Sequence, residues 1–265
     1  MTIADNEMLI GLNEAVDAII EVGEKCQKCY RHCGATPPPI LIDLAKHNGQ
    51  STLTRFYSKV LKQTYGLPSG GLDDYLEFSV NGDMKALKDL RRKLTQAAVY
   101  TNTYRGVVSF DITGLAEYIN ESQIEFFHRE VLWAARDACL LFYVAPEEMQ
   151  RMAKLIADLS DTVGNFEVVH VSPYTITELA KITEANIRKL GISVNSEADD
   201  AFSNLMQEVI QNVVIHSAKE TELIAKRLAE YADYSAFRPV FGLQHLRNAL
   251  NYYSDDRGES YHGER

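Results

Sequence analysis

Residues 44–51 have the spacing of a phosphate-binding loop but lack part of its chemistry. In the motif G-x-x-x-x-G-K-[S/T], backbone N–H groups cradle phosphates and the Lys reaches the terminal ones. Here the two glycine positions hold Leu44 and Gly49, the Lys position holds Gln50, and Ser51 keeps the hydroxyl. A degenerate nucleotide-binding loop and a plain capped helix start both remain open. The candidate nucleotide-binding residues are Asn48, Gly49, Gln50, Ser51 and Thr52.

A carboxylate that could hold magnesium follows later in the chain. Residues 107–111 form an apolar run that ends in Asp111, as does a Walker B strand that delivers Asp to Mg²⁺. The next residue is Ile112 instead of the Glu that would activate water. An apolar strand ending in Asp is common in proteins, so this feature has a purely structural alternative. If nucleotide binds, Ser51 and Asp111 are the expected Mg²⁺ ligands.

Short apolar runs that alternate with helical patterns must position these groups. Apolar, strand-like runs occur at residues 40–42, 75–80, 106–110, 139–144 and 166–171. Helical periodicity follows Ser51 and recurs at 84–99, 115–135 and 147–159. Strands that alternate with longer helices predict a mainly parallel sheet covered on both faces.

The pattern changes after the sheet region and predicts a second domain. Thr175 and Glu178 have the spacing of a capping box, and the rest of the chain has helical periodicity. We therefore expect an N-terminal helix, an α/β domain, a small all-α domain and a polar tail, at residues 1–34, 35–172, 173–253 and 254–265.

Composition narrows the class of protein and of partner. The chain is 46% hydrophobic and 24% charged, as in ordinary globular proteins, and its formal net charge is −10. This acidic balance opposes binding that depends on phosphate neutralisation, so nucleic acid is a disfavoured partner. No apolar stretch is long enough to cross a bilayer, and no signal peptide is evident, so we expect a cytoplasmic protein with no membrane association.

Three of the four cysteines cluster near the end of the first predicted helix. Cys26, Cys29 and Cys33 have CxxC-like spacing, with His32 beside them. Zinc binding would need a further ligand from elsewhere in the fold, because residues on one helix cannot surround a tetrahedral ion. The alternative is that these cysteines are small, reduced core residues.

Five segments in order resemble the AAA+ superfamily, within it the CbxX/CfqX branch that includes rubisco activase and a sporulation ATPase. They are LIGL at 9–12, GVVSFD at 106–111, VAPEEM at 144–149, SPYTITEL at 172–179 and LRN at 246–248. The family counterparts are LIGL, GVLFID, AGYPEEM, FPDYTPEEL and VRN. The resemblance covers almost the whole chain and implies a P-loop NTPase-like parallel sheet domain with a C-terminal all-α lid domain.

The sequence departs from this family where the family's chemistry lies. The resemblance implies a catalytic Lys where this chain has Gln50 and a catalytic Glu where it has Ile112. It also implies a polar sensor near Ala145, an Arg finger near 165–166 and a sensor Arg near Gln244. None of these positions holds the required residue. Loss of the Lys or of the Glu typically lowers the rate by orders of magnitude, so we expect no hydrolysis.

The leading hypothesis is a catalytically degenerate AAA+-like module that acts as an assembly, scaffold or regulatory subunit. Its expected partners are further copies of itself, a related active AAA+ subunit or a client protein. Nucleotide binding would be weak or absent, and any residual ligand would be Mg-ATP or Mg-ADP. The alternative is a divergent active ATPase of the remodelling type in which Lys46 replaces the missing Lys. A DNA-acting AAA+ protein is a third hypothesis, which the net charge of −10 disfavours.

Overall fold

A computed structural model provides the coordinates of the protein. The structure describes residues 9–33, 38–65, 75–80, 85, 88–96, 107–119, 129, 139–157, 166–195, 200–213, 215–235 and 237–255. The chain divides into two compact units, Leu12–Ser172 and a second made of Met1–Gly11 with Pro173–Arg265. The domain limits derived from the sequence remain predictions.

Parallel strands form the centre of the first unit, and each of the five predicted strands is present. They are β1 (Ile40–Asp43), β2 (Tyr75–Ser79), β3 (Val107–Asp111), β4 (Cys139–Val144) and β5 (Glu167–His170). Their order in the sheet is β2-β3-β4-β1-β5, and every pairing is parallel. The α/β parallel-sheet class predicted from the sequence is confirmed. β1 is buried along its whole length, as expected for a strand with a neighbour on each side and helices on both faces.

Helices cover both faces of this sheet. Helices α1 (Asn13–Cys33) and α2 (Gln50–Tyr65) pack together on one face, where α2 contacts β2 and β3. On the other face lie α3, the helix at residues 88–96, and α4 (Pro146–Ala157). Their buried side chains join those of the strands in one apolar core, which includes Leu90, Leu94, Phe110, Phe142, Met149 and Met152.

The helix predicted at 115–135 does not form at its start. Leu115–Glu117 is a short 3-10 helix that begins after Gly114, a residue with a φ of 83°, and residues 118–119 are not helical. Leu115 and Ala116 are fully buried in the core, so their apolar character reflects packing of a turn. Apart from Arg129, residues 120–138 lie outside the described part of the chain.

Helices α5 (Ile176–Lys189), α6 (Asp200–Val213), α7 (Ala218–Ala229) and α8 (Leu243–Asp255) form the second unit. Thr175 and Glu178 form the predicted capping box at the start of α5. The predicted C-terminal helices are confirmed, and a short parallel pair, β6 (Ser193–Val194) and β7 (Val240–Phe241), accompanies them. Strands of two residues are too short to produce a period-2 pattern in sequence.

Gly11 lies in a tight contact within the second unit. Its φ is +73°, and a Cβ atom at this position would lie 2.6 Å from the Tyr174 ring. Gly191 has a similar φ of +81° but no neighbouring atom within 4 Å of that position. The two glycines therefore separate the cost of the backbone conformation from the cost of a steric clash.

Among the described helices, none combines the length and apolar character needed to cross a bilayer.

We predict that Gly11→Ala destabilises the protein more than Gly191→Ala. Both substitutions place a Cβ atom in the left-handed region, which costs about 1 kcal/mol or slightly more. Gly11→Ala adds a clash with the Tyr174 ring, which we expect to cost roughly 1–3 kcal/mol more. Urea unfolding of the two variants and the wild type measures both values. Equal losses would show that the Tyr174 contact is not a constraint.

Candidate functional site

The loop after β1 turns into α2 through two residues of left-handed backbone conformation. His47 has a φ of 73° and Gly49 a φ of 98°, with Asn48 between them. The Asn48 amide donates to the Ala45 carbonyl at 3.2 Å, and α2 begins at Gln50. Left-handed turns beside a helix N-terminus direct backbone N–H groups toward one region, which is the arrangement that binds anions in proteins.

The Gln50 side chain closes this loop on itself. Its Nε2 atom donates a hydrogen bond to the Leu44 carbonyl at 2.8 Å, which joins the helix start to the beginning of the loop. Leu44, at the first glycine position of the motif, is 4% exposed and belongs to the core. The residue at the Lys position therefore serves the loop backbone, and it carries no charge with which to attract a phosphate.

Tyr143 anchors the first turn of α2 to the centre of the sheet. Its hydroxyl donates to the Gln50 carbonyl at 2.9 Å and lies 3.0 Å from the Thr54 hydroxyl. The Thr54 hydroxyl also donates to the Gln50 carbonyl. Burial raises the pKa of Tyr143 well above its usual range, and the negative charge of Glu77 adds to this shift although the Thr54 hydrogen bond opposes it. The hydroxyl therefore remains a neutral donor.

Ser51 has an acidic partner that is not Asp111. Its hydroxyl donates to the Glu77 carboxylate on β2 at 2.8 Å. The strand register places Ser79, Asp111 and Tyr143 side by side in one row, and Glu77 lies in the preceding row of the same face. Oxygen donors on this α2-facing side of the sheet are the ligand type that Mg²⁺ prefers.

The turn after β3 is held by a second carboxylate. The Thr113 amide donates to the Asp111 carboxylate at 3.2 Å. The Gly114 amide lies 2.9 Å and 2.8 Å from the two oxygens of Glu148, at the start of α4. Ile112 is fully buried in the apolar core, on the opposite side of the strand from Asp111. A side chain at position 112 thus faces the core and not the oxygen donors.

Asp43 connects the ends of β1 and β5. Its carboxylate lies 2.7 Å from Nδ1 of His170, the residue opposite it in the register, and accepts a hydrogen bond from the Val171 amide. Asp43 is 7% exposed, so the hydrogen bonds compensate for burying its charge. This contact gives His170 a structural role at the end of β5.

The remaining positions implied by the resemblance hold apolar or locally bonded side chains. Ala145 is buried, and Phe166 packs against Phe142 with ring centroids 6.1 Å apart. Gln244, in the second unit, donates to Asn248 at 3.2 Å. The side chains of Cys26, Cys29 and Cys33 lie outside the described residues, so the zinc hypothesis stays a prediction. Within the described ranges, no group of three or more acidic, His or Cys side chains could hold a metal ion.

No protein-family model matches the sequence, and no curated protein matches it by sequence. Solved structures do match its fold. The Caenorhabditis elegans PCH-2 structure has a TM-score of 0.55 at 12% identity, covering 92% of this chain and 68% of that one. The Thermotoga maritima RuvB Holliday junction branch migration motor has a TM-score of 0.55 at 13% identity, covering 92% and 70%. The chain has the AAA+ fold. At these identities the similarity extends to the fold alone.

The sequence analysis missed three side chains that hold the first turn of α2 or the turn after β3. Glu77 could have been noticed because Tyr75, Glu77 and Ser79 alternate with apolar residues, which predicts a polar strand face. Tyr143 lies in an uninterrupted apolar run that conceals its hydroxyl. Glu148 is one of two adjacent glutamates, and only the tertiary structure shows which one holds the Gly114 turn.

We predict that Tyr143→Phe lowers the free energy of unfolding by about 1 kcal/mol near neutral pH, because a buried hydrogen-bond donor is lost. The folded-state pKa of Tyr143 is raised, so its contribution is full below the ordinary tyrosine pKa and declines as pH rises above it. The gap between wild type and variant should therefore shrink from about pH 8 to about pH 11. Denaturant unfolding at both pH values measures this.

Tyr118→Phe is the matched control for this experiment. Tyr118 is 37% exposed and lies on the same unit, so its variant keeps Tyr143 and should keep the alkaline decline of the wild type. A gap that stays constant with pH in Tyr143→Phe would contradict the assignment of a buried, neutral hydroxyl.

Proposed function

We propose that this AAA+-fold protein is a catalytically degenerate module that serves as an assembly, scaffold or regulatory subunit. The observation that carries the proposal is the hydrogen bond from the Gln50 side chain to the Leu44 carbonyl. In the AAA+ proteins that the sequence resembles, this position carries the Lys that attracts the terminal phosphates. Here a neutral amide occupies it and stabilises the loop without a ligand.

The position of the catalytic Glu supports the same proposal. Ile112 is fully buried among apolar side chains, so a Glu at this position would carry an unpaired charge into the core. Ala145 and Phe166 likewise contribute to packing instead of presenting polar groups. The residues at these three positions therefore do not fit the hydrolytic half of an ATPase site.

The five ordered motifs support the further proposal that the chain is a member of the CbxX/CfqX branch. A fold kept after its chemistry is lost favours a role in protein contacts, with further copies of itself, an active AAA+ subunit or a client. RuvB is a Holliday junction branch migration motor, but the net charge of −10 opposes a nucleic-acid substrate for this chain. A cytoplasmic location is part of the proposal.

The oxygen donors near the start of α2 favour a second candidate function, which is residual binding of Mg-ATP or Mg-ADP. The Ser51 hydroxyl on α2 donates to Glu77 on β2, and Asp111 at the end of β3 lies two residues further along the same face of the sheet. The turn at 47–49 leads into the N-terminus of α2. These groups fit the metal half of a nucleotide site. A divergent ATPase would further require Lys46 to replace the missing Lys and an acid such as Glu77 to orient water.

We predict that Gln50→Lys increases affinity for a fluorescent ATP analogue in the presence of Mg²⁺. An ammonium group adds charge-assisted hydrogen bonds to phosphate, so we expect a gain of about tenfold. Gln50→Met is the control, because it also breaks the bond to Leu44 but adds no charge. Equal affinities in the two variants would contradict the charge argument.

Phosphate release separates the degenerate module from the divergent ATPase. We expect the wild type to release no more phosphate from ATP than the Ser51→Ala, Asp111→Ala double variant. Turnover above that control would overturn the proposal and establish the ATPase alternative. Binding of the analogue by wild type but not by Asp111→Ala would assign nucleotide a structural or regulatory role.

The assembly role predicts self-association or capture of a partner. Sedimentation of the purified full chain should give a mass that rises above the 29.8 kDa of one chain as concentration increases, or a stable complex after incubation with host lysate. A chain that remains monomeric at every concentration and retains no protein would contradict the role.

A further inference from the structure

Glu77 places a negative charge beside the first turn of α2. Its carboxylate, on β2, accepts a hydrogen bond from the Ser51 hydroxyl at 2.8 Å. Ser51 is the second residue of α2, so the contact lies in the turn whose N–H groups bind an anion in a phosphate-binding loop. A phosphate bound at this loop would therefore lie near a negative charge of the protein itself.

The charge of Glu77 acts on groups around the start of α2. Burial is the main reason that the pKa of Tyr143 is raised, and the negative charge of Glu77 adds to this shift. The Tyr143 hydroxyl donates to the carbonyl of Gln50, the first residue of α2. Glu77 thus disfavours a further negative charge on a group that is hydrogen-bonded to this turn. It should disfavour the charge of a phosphate in the same way.

The contact between Ser51 and Glu77 uses a single hydrogen atom. A serine hydroxyl has one hydrogen to donate and two lone pairs with which to accept a hydrogen bond or bind a metal. While the hydrogen is bonded to Glu77, it is not available to a phosphate oxygen. The lone pairs of the same oxygen can still bind a divalent cation, which prefers oxygen ligands. The contact therefore opposes a bare phosphate but is compatible with a metal ion.

We propose that Glu77 makes phosphate binding at the 44–51 loop depend on a divalent cation. Without a cation, the phosphate and the Glu77 carboxylate compete for the Ser51 hydrogen and repel each other. With a cation, the negative charge of Glu77 attracts the metal that the phosphate also binds. This inference rests on the second candidate function, residual binding of Mg-ATP or Mg-ADP, and names the residue that determines its metal dependence.

The electrostatic role of Glu77 can be separated from a structural one. Ser51 and Glu77 are both exposed, and exposed electrostatic contacts contribute little to stability. Arg55, one turn after Ser51, joins the same helix and strand, because its Nε atom donates to the Tyr75 hydroxyl at 2.6 Å. Glu77→Gln keeps an acceptor oxygen for Ser51 and removes the charge. This variant should therefore retain the fold while it changes the response to metal.

The test titrates a fluorescent ATP analogue into the full-length chain, once in EDTA and once in Mg²⁺. In EDTA, Glu77→Gln should bind about fivefold more tightly than the wild type, which is the effect of two unit charges about 4 Å apart in water. The factor by which Mg²⁺ raises affinity should be at least about fivefold smaller in Glu77→Gln than in the wild type. Denaturant unfolding of both proteins checks that stability is retained.

Glu24→Gln is the matched control. Glu24 is exposed on α1 and follows Gly23, which packs against the Val60 side chain. Val60 lies about 13 Å further along the axis of α2 than Ser51, beyond the screening distance of about 10 Å at 0.1 M salt. The control removes the same charge from the same unit, and its affinities in EDTA and in Mg²⁺ should stay within about twofold of wild type.

Three results would overturn the inference. The first is equal affinity of wild type and Glu77→Gln in EDTA, or weaker binding by the variant, which would indicate a structural role. The second is a Mg²⁺ effect that Glu77→Gln retains in full or that Glu24→Gln loses equally. The third is no binding by any of the proteins in either solution. That last outcome leaves the assembly role intact, because sedimentation and phosphate release test it separately.

Discussion

The buried hydroxyl of Tyr143 fixes the start of α2 to the sheet, and the geometry of the loop depends on that attachment. The Tyr143 and Thr54 hydroxyls both donate to the Gln50 carbonyl, so two hydrogen bonds fix the first turn of α2. Gln50 in turn holds Leu44 at the start of the loop. Every contact in this chain of hydrogen bonds comes from the protein itself. These hydrogen bonds connect the start of the loop, the first turn of α2 and β4.

The hydrogen bond from Gln50 to the Leu44 carbonyl lets the loop keep this geometry with an uncharged side chain at position 50. A Lys at the loop would leave a charge without a partner whenever nucleotide was absent, whereas an amide can bond to the loop carbonyl at all times. At position 112, burial of an isoleucine adds to the core that joins β3 to α4. Gln50 and Ile112 thus contribute to stability, so replacing them with Lys and Glu would carry a structural cost.

Elements that depend on neighbouring residues could be predicted from the sequence. Contacts between residues far apart in the chain could not. The strands are continuous apolar runs, and Thr175 with Glu178 forms a cap within one helical turn, so both were found. Glu77 lies far from Ser51 in sequence, and only the packing of α2 against β2 brings the two side chains together. At 115–119 the apolar pattern was helical, but packing against the core favoured a 3-10 turn.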